Sequence, residues 1–372
     1  AKTEFASAIT DLDAALKLPS LALEDSNRAR ELRASASASM GNVLTRQAER
    51  TSEPETATLL RDQAAAAFAE AKSHWLERIK AEPGDPAAIR GLGVLTDHRA
   101  RAYLESGNRR RDDARTALRS GQKKAAVTKF DEAIHYYDLA GEASAQALSA
   151  FEPLSAQGPA NAQLMRDRFL ALHNAGTALM ETGTAQANAS KADAKGNDRY
   201  ARSLAAHERA LEYFRRALAI ADPLASSDLA NLEAQRDVAV CLNKVGNELR
   251  ELSQTMPGSY TDRDRLIEAR GVFERSLAIR ERLFSTDPIQ RHRYDRAVAS
   301  TKLGLVESLL AALETGAEQS TRLAAAIGYY EKALDDHASL AAAGVISPDA
   351  PAILQIRRAL DQCRAGQAGP PD

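Results

Sequence analysis

Seven histidines, His74, His98, His135, His173, His207, His292 and His337, are the first candidates for chemistry in this chain. Helical metal sites need such ligands on one face, as His pairs four residues apart or as H-E-x-x-H. None of the seven has that spacing, so no metal is expected. Paired carboxylates can serve as general acid and base. Asp112-Asp113 and Asp335-Asp336 are adjacent, however, and neighbours on a helix point about 100° apart. They read as ordinary surface or helix-start charge. Cys241 and Cys363 are the only cysteines and form no C-x-x-C. They support neither a disulfide framework nor a zinc site, and Cys241 reads as a small buried thiol. "GLG" at 91–93 is an isolated glycine pair rather than a phosphate loop, and "DHR" at 97–99 and "RHRYD" at 291–295 lack the order of a catalytic loop. No Ser-His-Asp arrangement is legible. The residues predict no cofactor and no catalysis.

Composition narrows the partner class. Hydrophobic residues make up 44% of the 372, charged residues 27%, and the formal net charge is −2, values ordinary for a soluble folded chain. Neither nucleic acid nor an anionic membrane is indicated as a partner. Arg109-Arg110-Arg111 and Lys123-Lys124 are short runs near acids and read as solvated helix ends. No apolar run approaches the roughly 20 residues needed to span a bilayer, and these residues predict no signal peptide among them. What remains is a protein or peptide partner, with the oligomeric state open.

Any such surface must be positioned by helices. Ala is abundant and aromatics are only 5%, a mix that suits close-packed helices. "EARGVFERSLAIRERLFSTDP" at 268–288 holds Ala269, Phe273 and Ser276, spaced four and three apart on one helical face. The small–large–small triplet recurs as Ala8/Leu12/Ala15, Ala64/Phe68/Ala71, Ala126/Phe130/Ala133, Ala210/Phe214/Ala217 and Ala326/Tyr330/Ala333. Between the triplets lies a glycine step: Met40-Gly41, Ala175-Gly176, Val245-Gly246 and Leu303-Gly304, with Ala100 replacing Gly in one copy. A Leu follows three residues later, except that Tyr103 follows Ala100 and Glu307 follows Gly304. Glycine costs a helix about 1 kcal/mol relative to Ala, so its return predicts a neighbouring helix backbone passing close.

The two patterns alternate. Ala15, Ala71, Ala133, Ala217, Ser276 and Ala333 are 56, 62, 84, 59 and 57 residues apart. A two-helix unit of that period predicts a helical solenoid with helices of roughly 18–25 residues. Turns fall at "AEPGDP", "AQGPAN", "TMPGSY" and "STDP". "TGTAQANASKADAKGND" at 182–198 reads as a mobile loop. The pattern predicts one array over 1–372: a half repeat at 3–20, helix pairs at 26–82, 86–156, 161–222, 230–287 and 290–345, a capping helix at 349–366 and a disordered tail at 367–372. Asp349 is the expected N-cap of that last helix, ahead of Pro351, and Ile353, Ile356 and Leu360 form its packing face. The unpartnered first element, beginning from Ala1, predicts further chain upstream.

The Gly-bearing helix followed by a small–aromatic–small helix resembles the tetratricopeptide repeat over about residues 3–345. The period here is near 58 rather than that family's 34. "RDVAVCLNKVGN" with "FERSLAIRERL" and "DP" looks like the long repeats in the tails of some bacterial serine/threonine protein kinases. The resemblance implies an all-α, right-handed α-α superhelix of long antiparallel helix pairs. It implies a protein–protein interaction or scaffold module, or a regulatory tail whose kinase domain lies upstream. It also implies a concave ligand face on the first helices, read three residues before and one after the glycine. Those places are Asn42, Asp97, Arg101, His173, Thr177, Asn243 and Asn247, with Arg250 a turn further and Lys302 beside Gly304. Asn pairs with peptide backbone, and Arg or Lys with carboxylates.

Overall fold

The computed structural model describes residues 10–12, 14, 27–51, 53–156, 162–193, 196–254, 261–366 and 369. Regular structure among them is helical, apart from one antiparallel bridge between Gln254 and Thr261. The helices group into two compact units, Ala1–Tyr213 and Phe214–Asp372.

In the first unit α1 (Asn27–Arg50) pairs with α2 (Pro54–Ala81), and α3 (Pro86–Arg119) with α4 (Lys123–Ala156). Helix α5 (Ala162–Ser190) then packs with the start of α6 (Gly196–Ser227), in which the boundary falls. Helix α3 also touches α1 and α2, and α5 touches α3 and α4. Each pair therefore stacks on the one before it, which is solenoid packing. Short turns enforce the antiparallel pairing. At 81–86 the Asp85 carboxylate caps α3 through the Ala87 amide at 2.8 Å and pairs with Arg78 back on α2. Those contacts, against the opposing effect of burial, hold its carboxyl below the usual range.

In the second unit α7 (Leu232–Ser253) pairs with α8 (Arg263–Thr286), and α9 (Gln290–Ala311) with α10 (Gly316–Ala342). Helix α8 packs on α9, and α11 (Pro351–Arg364) covers the last pair. Ile356 and Leu360 of α11 join Tyr330 and Ala333 in one apolar cluster. Every described triplet faces inward: Phe130, Phe214 and Phe273 are fully buried and Phe68 and Tyr330 nearly so, with their flanking small residues buried too. Leu12 of the first triplet is half-buried, and most of the expected half repeat lies outside the described residues.

Three of the recurring glycines, Gly41, Gly246 and Gly304, receive a ring rather than a backbone. A β-carbon added at Gly41 would lie 2.9 Å from Phe68, at Gly246 2.6 Å from Phe273, and at Gly304 2.7 Å from Tyr330. Each ring comes from the triplet of the partner helix, so the two sequence patterns are the two halves of one contact. In the second pair, where Ala100 replaces Gly, the same device shifts two turns along, to Gly107 against Tyr137.

Several sequence expectations are corrected. Helix lengths of 18–25 residues hold for α1, α7, α8 and α9, but α3 and α4 run 34 each and α6 runs 32. Much of the 182–198 stretch expected as loop is helix, with a turn at 191–192. Helix α5 continues to Ser190, because Ala185 and Ala189 are fully buried and Gly183 meets the His207 ring, its carbonyl accepting from Ser203 Oγ at 2.7 Å. Arg109–Arg111 are not a helix end. They lie inside α3, and Arg111 pairs with Glu181 on α5. Asp336 is not surface charge but is buried, held by Arg296 Nε at 2.9 Å. Asp349 does not cap α11, whose N-cap position is Ala350. It sits one residue too early, and its carboxylate stays exposed. Within the expected tail, Gly369 is tied to Ser308, its amide donating to the Ser308 carbonyl at 3.1 Å.

Candidate functional site

The polar stripe on the first helices behaves differently in the two units. In the first, most of it is consumed internally. Asp97 is buried on α3 and accepts from Asn174 Nδ2 of α5 at 2.7 Å, while Arg101 pairs with it at 3.0 Å. Burial raises the Asp97 carboxyl despite the nearby Arg101 charge. Asn42 of α1 lies 3.3 Å from the His98 ring nitrogen. Burial, with Arg101 alongside, lowers the His98 imidazole. These contacts tie α1, α3 and α5 together. His173 lies 5.9 Å from the Phe169 ring. Thr177 is half-buried, and its Oγ1 is enclosed without a hydrogen-bond partner.

In the second unit Asn243 is buried and accepts from Ser276 Oγ at 3.0 Å, fastening α7 to α8. The Ser276 hydroxyl in turn accepts from Arg280, which burial pushes down to about 10 against the pull of Asp295. Asn247 and Arg250, further along α7, are half-buried. Arg250 pairs through one terminal nitrogen with Glu251, while its Nε and the Asn247 Oδ1 are enclosed and have no hydrogen-bond partner among the described residues. Lys302 on α9 lies within electrostatic range of Arg250, Glu251 and Lys244 on α7. Burial pushes its ammonium down to about 8, reinforced by Arg250 and Lys244 and opposed by Glu251. Arg250 and Lys302 thus lie within electrostatic range of each other, with Asn247 one turn from Arg250.

Sequence reasoning missed His98, Asn174 and Lys244. All three sit two residues before the glycine step, the register that Lys302 also occupies before Gly304. Glu307, standing where Leu was expected, is buried and accepts from Arg270 Nε at 2.6 Å and Arg322 at 3.1 Å. The charge is tolerated because both flanking helices deliver a guanidinium to it. Cys241 is fully buried, donates to the Phe214 carbonyl at 3.1 Å and is pushed up to about 12 by burial. A thiol so placed is inert. Among the described residues no cluster of three His, Cys, Asp or Glu is placed to hold a metal. No described helix is long and apolar enough to cross a membrane.

No protein-family model matches the chain. No curated protein matches it either. Among solved structures it is similar to one described under "Computational Design of Self-Assembling Cyclic Protein Homooligomers", at 15% identity over 73% of this chain and 94% of that one, with a TM-score of 0.31.

Proposed function

We propose that the chain is a tetratricopeptide-like array acting as a noncatalytic interaction module, which binds an extended protein segment along α7 and α9. One observation supports this reading above others. Asn247 Oδ1 and Arg250 Nε are enclosed polar atoms with no hydrogen-bond partner among the described residues. Leaving such an atom unpaired costs about 1–3 kcal/mol. A segment laid across Asn247, Arg250 and Lys302 supplies the missing partners: backbone amides to the Asn oxygen and an acidic side chain to the two cations. In the first unit Asn42 already meets His98 and Asn174 already meets Asp97, so these residues serve the scaffold.

A displayed library of random peptides panned against the protein tests this. Enriched peptides are expected to carry an acidic residue. They should lose tenfold or more in affinity against an Asn247→Ala/Arg250→Ala/Lys302→Ala variant with unchanged far-ultraviolet circular dichroism. Equal binding by wild type and variant removes the assignment.

A further inference from the structure

A second site lies away from that stripe, in the wedge of the first unit where α2, α3 and α4 meet. A cavity of about 490 Å³ opens there, within the range that holds small ligands. Short side chains, Ala65 and Ala69 of α2 and Ala102 of α3, leave the space, and Phe68, Tyr103 and Tyr136 wall it with rings. Its charge is one-sided: Arg61, Lys72 and Arg99 line it against Asp62 alone. Arg99 lies 5.9 Å over the Tyr103 ring and donates to its hydroxyl at 3.2 Å. Neither Arg99 nor Lys72 has an acid within ion-pair distance among the described residues. Elsewhere on the same helices arginines do find acids, as Arg78 does with Asp85 and Arg111 with Glu181.

We propose that this cavity binds a small organic anion with a flat apolar body, of the arene-carboxylate or arene-sulfonate class. The body stacks among the three rings. The anionic group meets Lys72 and Arg99 at the rim, where a guanidinium already poised over an aromatic face accepts a planar carboxylate.

1-Naphthoate is the probe, titrated by calorimetry, with 1-naphthylmethanol as its uncharged counterpart and acetate as the anion without a body. Naphthoate should bind one-to-one. The alcohol and acetate should each bind at least tenfold more weakly. Lys72→Glu, at an exposed position, should weaken naphthoate at least fivefold. Ala69→Trp, also at an exposed position, fills the cavity and should abolish binding with the helical signal intact. The Asn247→Ala/Arg250→Ala/Lys302→Ala variant should bind naphthoate as wild type does, which separates this site from the peptide stripe. No naphthoate binding by wild type at millimolar concentration overturns the proposal. So does binding that survives Ala69→Trp, or an alcohol that binds as well as the acid.

Discussion

At the scale of single residues, the same kind of polar side chain meets opposite fates depending on what faces it. Asp97 and Asn174 close on each other, and Asn243 closes on Ser276. Lys302 finds mainly like charge, in Arg250 and Lys244. Its ammonium, held near 8 against 10.5 for free lysine, makes a pH prediction. Below pH 8 the folded protein bears the full penalty of a charged lysine in that place. Between about 8 and 10.5 the folded chain has released the proton and the unfolded chain has not, so stability rises with pH. Lys302→Met should raise the urea midpoint at pH 7 and remove that alkaline rise. A wild-type curve flat from pH 8 to 10.5 contradicts the burial of Lys302. A bound acidic segment should in turn cause proton uptake near pH 8, because the incoming carboxylate favours the ammonium.

At the scale of elements, each helix pair is keyed by a ring seated on a glycine. The consequence is a sign reversal in an ordinary substitution. Gly→Ala inside a helix normally gains up to about 1 kcal/mol. At Gly271 of α8, where an added methyl meets nothing within 4 Å, it should do so. At Gly246 the methyl lands 2.6 Å from the fully buried Phe273 ring, and overpacking of that kind costs roughly 1–3 kcal/mol. Gly246→Ala should therefore lower stability in chemical denaturation. Phe273→Leu should recover part of the loss, giving a favourable coupling of about 1 kcal/mol or more in a double-mutant cycle. Additive costs would mean that ring and glycine do not share one contact. The alternation was legible in the sequence because both halves of the contact recur. Its nature was not, because a glycine announces only that something comes close.

At the scale of the molecule, contacts within each compact unit run from one helix pair to the next, so stability in an array of this kind is regional. Glu307 tests this, since it joins α8, α9 and α10 through Arg270 and Arg322, and Arg322 continues to Glu314 at 3.2 Å. Glu307→Gln removes the charge from the centre of that network and should cost about 2–3 kcal/mol, as uncompensated buried partners do. Native-state hydrogen exchange should then quicken in α8–α10 while α1–α4 keep wild-type protection. Uniform loss of protection across the chain would point to a single cooperative unit instead of the two compact ones.

The sequence by itself determined the described helices, their alternation, the turns near 81–86 and 285–288 and the inward faces, while the turns expected at 156–161 and 255–260 lie largely outside the described residues. Periodicity and small–large spacing act through local geometry that holds wherever a helix packs. Tertiary structure alone decided helix length between Ala162 and Ser227, where Gly183 and His207 make helix from a stretch that reads as loop. It also decided which polar residues remain open. Asn42, Asp97 and Asn243 belong to the same expected polar stripe as Thr177 and Asn247, and only the helix packed opposite determines whether a hydrogen bond is already made.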